Sequence, residues 1–245
     1  MKRSLQTAEE LKREYFTSLA GTYHKSVVHS DDEHGLALQH ISVFIEALKL
    51  TSVLDVGCGT GRGIKYMLDR FPNLKARGME PMPAMIEAAI AEGVPEDLII
   101  EGCAEDIPYG DSSFDAVCAF GVMHHVPDSS SVIKELMRVA RKAIFISDSN
   151  RFGQGPLFAR LIKLGSWQMG LWPMTDFVKT RGKGYTISEG DGVSYSYSVF
   201  DNYKQLAKWA DAIIAIPTSQ DRRTGHHMAN PTLTAGHVLM CAIKN

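Results

Sequence analysis

An aspartate followed by three glycines at alternate positions, Asp55-x-Gly57-x-Gly59-x-Gly61, stands directly behind a short apolar run in VLDVGCGTGRG (53–63). Glycine lets a backbone approach a ligand more closely than any other residue does, so the question is which ligand. Two phosphate-binding patterns fail. A loop of the GxxxxGK[ST] kind needs a lysine to meet the phosphates and a hydroxyl for magnesium, and this loop has neither. The dinucleotide fingerprint GxGxxG needs a third glycine where the helix packs on the strand. Counted from Gly57 that position is Arg62, and counted from Gly59 it is Ile64. What remains is an acid ending a strand and a bend rich in glycine, a pattern that an ordinary strand–helix turn also shows.

Other reactive side chains follow. AFGVMHHVPD (119–128) carries His124 and His125, and histidine titrates near neutral pH, which suits a general base. His125 is the candidate base, with packing against a ligand as the alternative. Asp148, in ISDSNR (146–151), is expected to face the same cleft and orient an acceptor. Asn150 and Arg151 either bind polar substrate groups or cap the next segment. RTGHHMANP (223–231) adds His226, His227 and Asn230. Neighbouring histidines on a regular element point apart, and no HxH or HxxxH spacing occurs, so no metal site is expected.

The elements that must position these groups alternate. SVLDV (52–56), KARGME (75–80), DLIIEG (97–102), FDAVCAF (114–120) and KAIFISD (142–148) read as strands. GIKYMLDRF (63–71), MPAMIEAAIAEG (82–93) and SSSVIKELMRVA (129–140) read as the helices between them, predicting right-handed crossovers and a parallel sheet with helices on both faces. Ahead of them, Thr7 and Glu10 form a capping-box pattern at the start of a helix over 5–24, and a second helix covers 37–48. Beyond 150 the rhythm changes. GPLFARLIKLGSWQMGLWPM (155–174) is apolar, and RGKGYTISEGDGVSYSYSVFD (181–201) has the glycines and alternation of a hairpin. Helix 202–212 and strands 213–218 and 237–244 then close the chain.

The formal charge of −2 gives no basic footprint for a nucleic acid. The four cysteines lack CxxC spacing, which argues against a disulfide framework. No apolar stretch approaches the ~20 residues of a membrane span, and the opening residues lack a signal-peptide core. A soluble, cytoplasmic protein is expected.

LDVGCGTG resembles the first motif of the class I S-adenosylmethionine-dependent methyltransferases. GCAEDIPYGDSSFDAV (102–117) and the segment leaving 114–120 are similar to later motifs of that family. YFTSLAGTY (15–23) looks like the opening of its ubiquinone/menaquinone-biosynthesis type. The resemblance implies a Rossmann-like, seven-stranded, mostly parallel sheet with helices on both faces and an insertion before the last strands. It implies one domain over 1–245: an N-terminal lid at 1–35, a cofactor core at 36–150, a substrate-side insertion at 151–200 and closing elements at 201–245. S-adenosylmethionine, leaving as S-adenosylhomocysteine, would lie on Asp55, Gly57, Cys58, Gly59 and Gly61. Glu80 would grip the ribose hydroxyls, with Pro81 and Met82 beside the adenine. Cys103, Ala104 and Glu105 would edge that base, Phe120 would border the cofactor, and Tyr23 would reach its carboxylate. The implied reaction is methyl transfer to oxygen or nitrogen of a small or medium-sized acceptor, a hydrophobic one included. A tRNA or rRNA enzyme, a non-catalytic cofactor-binding protein and a different transfer from a modified sulfonium remain as alternatives. The run 155–174 is expected as a helical cover on the sheet or, with the hairpin, as the wall of the acceptor pocket. A surface that touches lipid is a third reading, but two basic residues are too few for an amphipathic membrane helix.

Overall fold

The computed structural model describes residues 7–29, 31–219 and 231–244; His226, His227 and Asn230 lie outside them. Seven strands form one sheet: β1 (Ser52–Val56), β2 (Lys75–Glu80), β3 (Ile99–Glu101), β4 (Phe114–Phe120), β5 (Ala140–Ser149), β8 (Ala212–Pro217) and β9 (His237–Ile243). Their order is β3-β2-β1-β4-β5-β9-β8. The first five are parallel, while β9 runs antiparallel to both β5 and β8. This is the expected mostly parallel sheet. A separate hairpin joins β6 (Tyr185–Ser188) to β7 (Gly192–Tyr195).

The period-2 alternation of a strand decides which residue meets which layer. Leu54, Val56, Val117, Ala119, Ile144, Ile146, Met240 and Ala242 share one core with Val132, Ile133 and Leu136 of α5 (Ser129–Val139). Their sequence neighbours Val53, Ala116, Cys118, Ala143, Phe145, Leu239 and Cys241 face the opposite core. There they meet Ile41 and Ile45 of α2 (Glu33–Ala47), Ile64 and Met67 of α3 (Arg62–Arg70) and Ala89 of α4 (Pro83–Ala91). Both faces of the central strands are therefore dry, and helices cover both.

α1 (Ala8–Val27) begins with the expected capping box, in which Thr7 accepts from Glu10 N–H and the Glu10 carboxylate accepts from Thr7 N–H. No helix among the described residues is long and apolar enough to cross a membrane. Two later segments differ from expectation. The helix expected over 202–212 is only α8 (Tyr203–Leu206), continued to Ala210 by single hydrogen-bonded turns. The apolar run after 155 forms α6 (Leu157–Gln168) and α7 (Trp172–Lys179), which do not cover the sheet. Trp167 lies against Phe152 and the Arg151 guanidinium stacks on Trp172, while only Ser166 of the two helices is buried. The last helix is α9 (Pro231–Thr234).

Candidate active site

The chain leaves β1 toward β2 and β3 on one side and returns to β4 and β5 on the other. In open sheets of this kind the crevice at the carboxyl ends of the two diverging strands is where ligands bind. Two abutting cavities, of about 310 Å³ and about 250 Å³, open there and share Gly57, Gly59, Phe120, Gly121 and His125 in their walls. Phe16 and Tyr23 of α1 line both cavities, so this helix roofs them.

The loop after β1 is tied to β2, since Gly57 and Cys58 N–H both donate to Met79 C=O. This brings Gly59 N–H to 2.9 Å from one Glu80 carboxylate oxygen, and Met82 N–H donates to the other at 3.1 Å. Each oxygen keeps a lone pair for the larger cavity. Burial raises the Glu80 pKa to about 7, against the pull of those two N–H groups. Gly59 has φ +55 and would meet only Met85 Cε, at 3.6 Å, if it carried a Cβ. Its absent side chain thus keeps a cavity open. Gly61 differs: at φ +77, a Cβ would stand 2.5 Å from Val94 Cγ2. It lines neither cavity, and its missing side chain lets α3 pack closely on the end of α4.

The remaining residues of the implied cofactor set converge. Pro81, Met82, Cys103, Ala104 and Glu105 line the larger cavity with Glu80, and Asp55 and Cys58 line the smaller one. Asp55 is buried, and its Oδ1 has no hydrogen-bond partner. Burial raises its pKa to about 7, with the Arg62 charge lowering it and Glu80 raising it. Sequence reasoning missed Lys12 and Glu9 of α1, which add a charged rim to the larger cavity.

The smaller cavity ends in charged and polar groups. His124 and His125 sit on the one-turn segment Met123–His125 after β4, with ring centroids 4.0 Å apart. His124 Nδ1 lies 2.7 Å from Asp148 Oδ1 and its Nε2 lies 3.2 Å from Asp191 Oδ1. Burial alone would lower its pKa, but the Asp148 charge and the bonds to both carboxylates raise it to about 10. His124 is therefore an imidazolium near neutral pH. His125 Nδ1–H donates to Val193 C=O at 2.8 Å. Burial, and then the His124 charge, push the His125 pKa down to about 4. Near neutral pH His125 is a neutral imidazole in the wall shared by both cavities.

Asp148 does not face the cleft as expected. It is fully buried and lines neither cavity, one oxygen accepting from Met123 N–H and the other from His124 and Ser149 N–H. It positions His124 instead. Asn150 caps the turn Arg151–Gly153 through Phe152 N–H and donates to Thr232 and Ala235 C=O. Arg151 is ion-paired with Asp201 and donates to Ser196 C=O, so neither residue is offered to a substrate. No residue of 155–174 lines either cavity, which corrects the pocket-wall expectation. The insertion lines the smaller cavity at the hairpin tip, through Gly190 and Asp191, and supports His125 through Val193 C=O.

Asp191, His34 and the Asp32–Arg62 ion pair were missed in the sequence. EGDG (189–192) reads as turn chemistry, and nothing in spacing brings a hairpin tip to the end of β4. His34 bonds Ser147 through Nδ1, and burial, with the nearby His237 and Arg62, lowers its pKa to about 3.

The methyltransferase domain family matches residues 54–146. The ubiquinone biosynthesis O-methyltransferase of Pseudomonas aeruginosa (strain UCBPP-PA14) is 32% identical over 114 residues, covering 44% of this chain and 48% of that protein. Ajmaline N-methyltransferase of Rauvolfia serpentina is 30% identical over 97 residues, 38% of this chain and 33% of that one. The chain thus spans a third to a half of the length of these curated relatives. Magnesium protoporphyrin IX methyltransferase from Synechocystis PCC 6803, solved with bound SAM, superposes over all of both chains with a TM-score of 0.61 at 13% identity, a likeness of fold. Residues 54–146, the stretch that matches the methyltransferase domain family, thus carry the glycine loop and Glu80 beside the switch-point cavities.

Proposed function

We propose that this chain transfers a methyl group from S-adenosylmethionine to an oxygen or nitrogen of a small or medium-sized acceptor. The observation that carries the reading is the pair of abutting cavities, one gripped by Glu80 and the other ended by His124, His125 and Asp191. The residues fit such a cofactor. The unpartnered Asp55 Oδ1 is a buried acceptor beside the glycine loop, and it suits a cationic or hydrogen-bond-donating group. Glu80 has free lone pairs for a pair of hydroxyls, and Gly59 leaves room where a side chain would stand.

When bound, S-adenosylmethionine supplies an electrophilic methyl on a sulfonium, so its leaving group needs no acid. The protein's work is then orientation and exclusion of water, which in well-ordered systems is worth up to ~7–11 kcal/mol. Glu80, Met82 and Ala104 would hold the nucleoside, and Phe16 and Tyr23 on α1 would shield the junction. The neutral His125, its tautomer fixed by Val193 C=O, keeps Nε2 unprotonated, so it would take the proton that a hydroxyl or amine sheds as the methyl arrives. General-base help of that kind contributes typically 10²–10⁴-fold. The O-methylating and N-methylating relatives support both acceptor atoms. A small acceptor is favoured because the smaller cavity is bounded by α1, α2 and the hairpin tip.

Incubation with isotopically labelled S-adenosylmethionine and panels of small alcohols, phenols and amines, beside bulk RNA and protein, tests the reading. Label is expected on small molecules. Equal labelling of bulk RNA or protein with no small acceptor would overturn it.

A further inference from the structure

We infer that His124, His125 and Asp191 form a binding site for one divalent transition-metal cation of the zinc class, at the acceptor end of the smaller cavity. The inference deepens the methyl-transfer reading and rests on it for the ion's use, though not for its binding.

Three features carry it. The first is ligand direction. A metal-binding histidine is oriented by a partner on its other ring nitrogen, a carboxylate or a backbone carbonyl. Both kinds occur here: His124 Nδ1 faces the fully buried Asp148 at 2.7 Å, and His125 Nδ1–H donates to Val193 C=O at 2.8 Å. Asp148 is itself fixed by Met123 and Ser149 N–H. Both Nε2 atoms are thereby aimed at one point.

The second feature is spacing. Asp191 Oδ1 lies 3.2 Å from His124 Nε2 and 3.5 Å from His125 Nε2. The three ligand atoms all fall within 4.8 Å of one another. Ligands held 2.0–2.2 Å from one tetrahedral ion stand about 3.3–3.5 Å apart. A cation at that point replaces the Nε2 proton of His124 and leaves Asp191 equally satisfied. The sequence argued against a metal because adjacent histidines diverge on regular elements. On the tight turn Met123–His125 they do not, and the rings stand side by side.

The third feature is access. The Asp191 side chain is 48% exposed, and all three groups line the cavity. Three protein ligands and one open position toward a cavity is the arrangement of a catalytic rather than a structural zinc site. Two imidazoles and one carboxylate suit zinc, cobalt or ferrous iron and are too nitrogen-rich for magnesium or calcium. In the methyl-transfer reading, the open position takes the acceptor's hydroxyl or amine and lowers its pKa as a Lewis acid does, which replaces proton acceptance by His125 Nε2, since the ion would occupy that lone pair.

The test uses the purified full chain, freed of metal with a chelator and titrated with cobalt(II). Uptake is followed by visible d–d absorption, and bound cobalt is then displaced with zinc(II). One cobalt per chain with a tetrahedral-type spectrum is expected. Asp191→Ala removes an exposed side chain at a hairpin tip, and His125→Gln serves as a second variant; each is expected to weaken cobalt binding at least ~10-fold. No stoichiometric cobalt uptake by the wild-type chain overturns the site, as does equal uptake by Asp191→Ala and wild type. Calorimetry of the wild-type chain with S-adenosylmethionine, run in parallel, separates the two readings. Uptake of S-adenosylmethionine without cobalt rejects the metal site alone, and cobalt uptake without S-adenosylmethionine supports the metal site while rejecting the methyl-transfer reading.

Discussion

At the carboxyl ends of β1, β2 and β4, polar side chains are buried and held by backbone N–H groups, whereas α6 and α7 leave apolar side chains in solvent. Glu80 is fixed by Gly59 and Met82, and Asp148 by Met123 and Ser149. On the two helices Leu157, Phe158, Leu161, Met174, Phe177 and Val178 are exposed, Phe158 by 76%. The first region spends fold stability to keep charges dry, because an unpaired buried acceptor such as Asp55 Oδ1 is costly. The second gains little from its apolar groups. A substitution should therefore cost much at the strand ends and little on the helices.

Gly61→Ala should break the first region most. Left-handed strain and the Val94 clash together are worth about 2–4 kcal/mol. For a chain of this length that is a fall in Tm of roughly 5–15 °C by calorimetry. An unchanged Tm would mean that α3 does not pack as described. Gly59→Ala sharpens the contrast within one loop. Its Cβ clashes with nothing, so the stability loss should be only about 1–2 kcal/mol. Its larger effect should be on binding at the cavities, and the ratio of the two effects checks the assignment of cradle against packing glycine.

A carboxylate near the amino end of the central strand β4 gives a pH contrast. Burial alone would raise the Asp115 pKa, but Thr51 N–H, the Thr51 hydroxyl and Arg141 outweigh it and hold the group at about 2. A folded pKa below the usual 3.8 stabilises above about pH 4, and that contribution disappears as the pH falls toward 2. Acid denaturation of Asp115→Asn should accordingly be flatter over that window, by about 1–2 kcal/mol. Phe158→Ser should do least. An exposed substitution away from any packed contact stays within about 0.5 kcal/mol, and binding at the cavities should not change.

Much of the first region was legible from residue order. β1 and β4 lie where the apolar runs ending at Val56 and Phe120 put them, and β2 lies where KARGME reads as a strand by its place between two helices. Buried parallel strands leave an unbroken apolar signature, and glycines mark their ends. Glu80 was legible for the same reason, being the acid at a strand end. Gly61 was not, because a glycine that cradles a ligand and one that admits a neighbouring side chain have the same spacing. Asp191 and His34 were hidden by distance in sequence, since a hairpin tip and a helix start meet β4 and β5 only in the fold. The run 155–174 misled because apolar composition signals burial, and α6 and α7 expose it.

The central claim is that Glu80 grips the sugar of S-adenosylmethionine at the end of β2. Titration calorimetry of the wild-type chain and Glu80→Ala with S-adenosylmethionine and S-adenosylhomocysteine tests it most directly. Above about pH 8, where Glu80 with its pKa of about 7 is ionised, two hydrogen bonds to a charged acceptor, at about 1.5–3 kcal/mol each, predict saturable binding by the wild type and a loss of at least ~100-fold in the variant. Absence of binding by the wild type, or equal affinity in the variant, would contradict it.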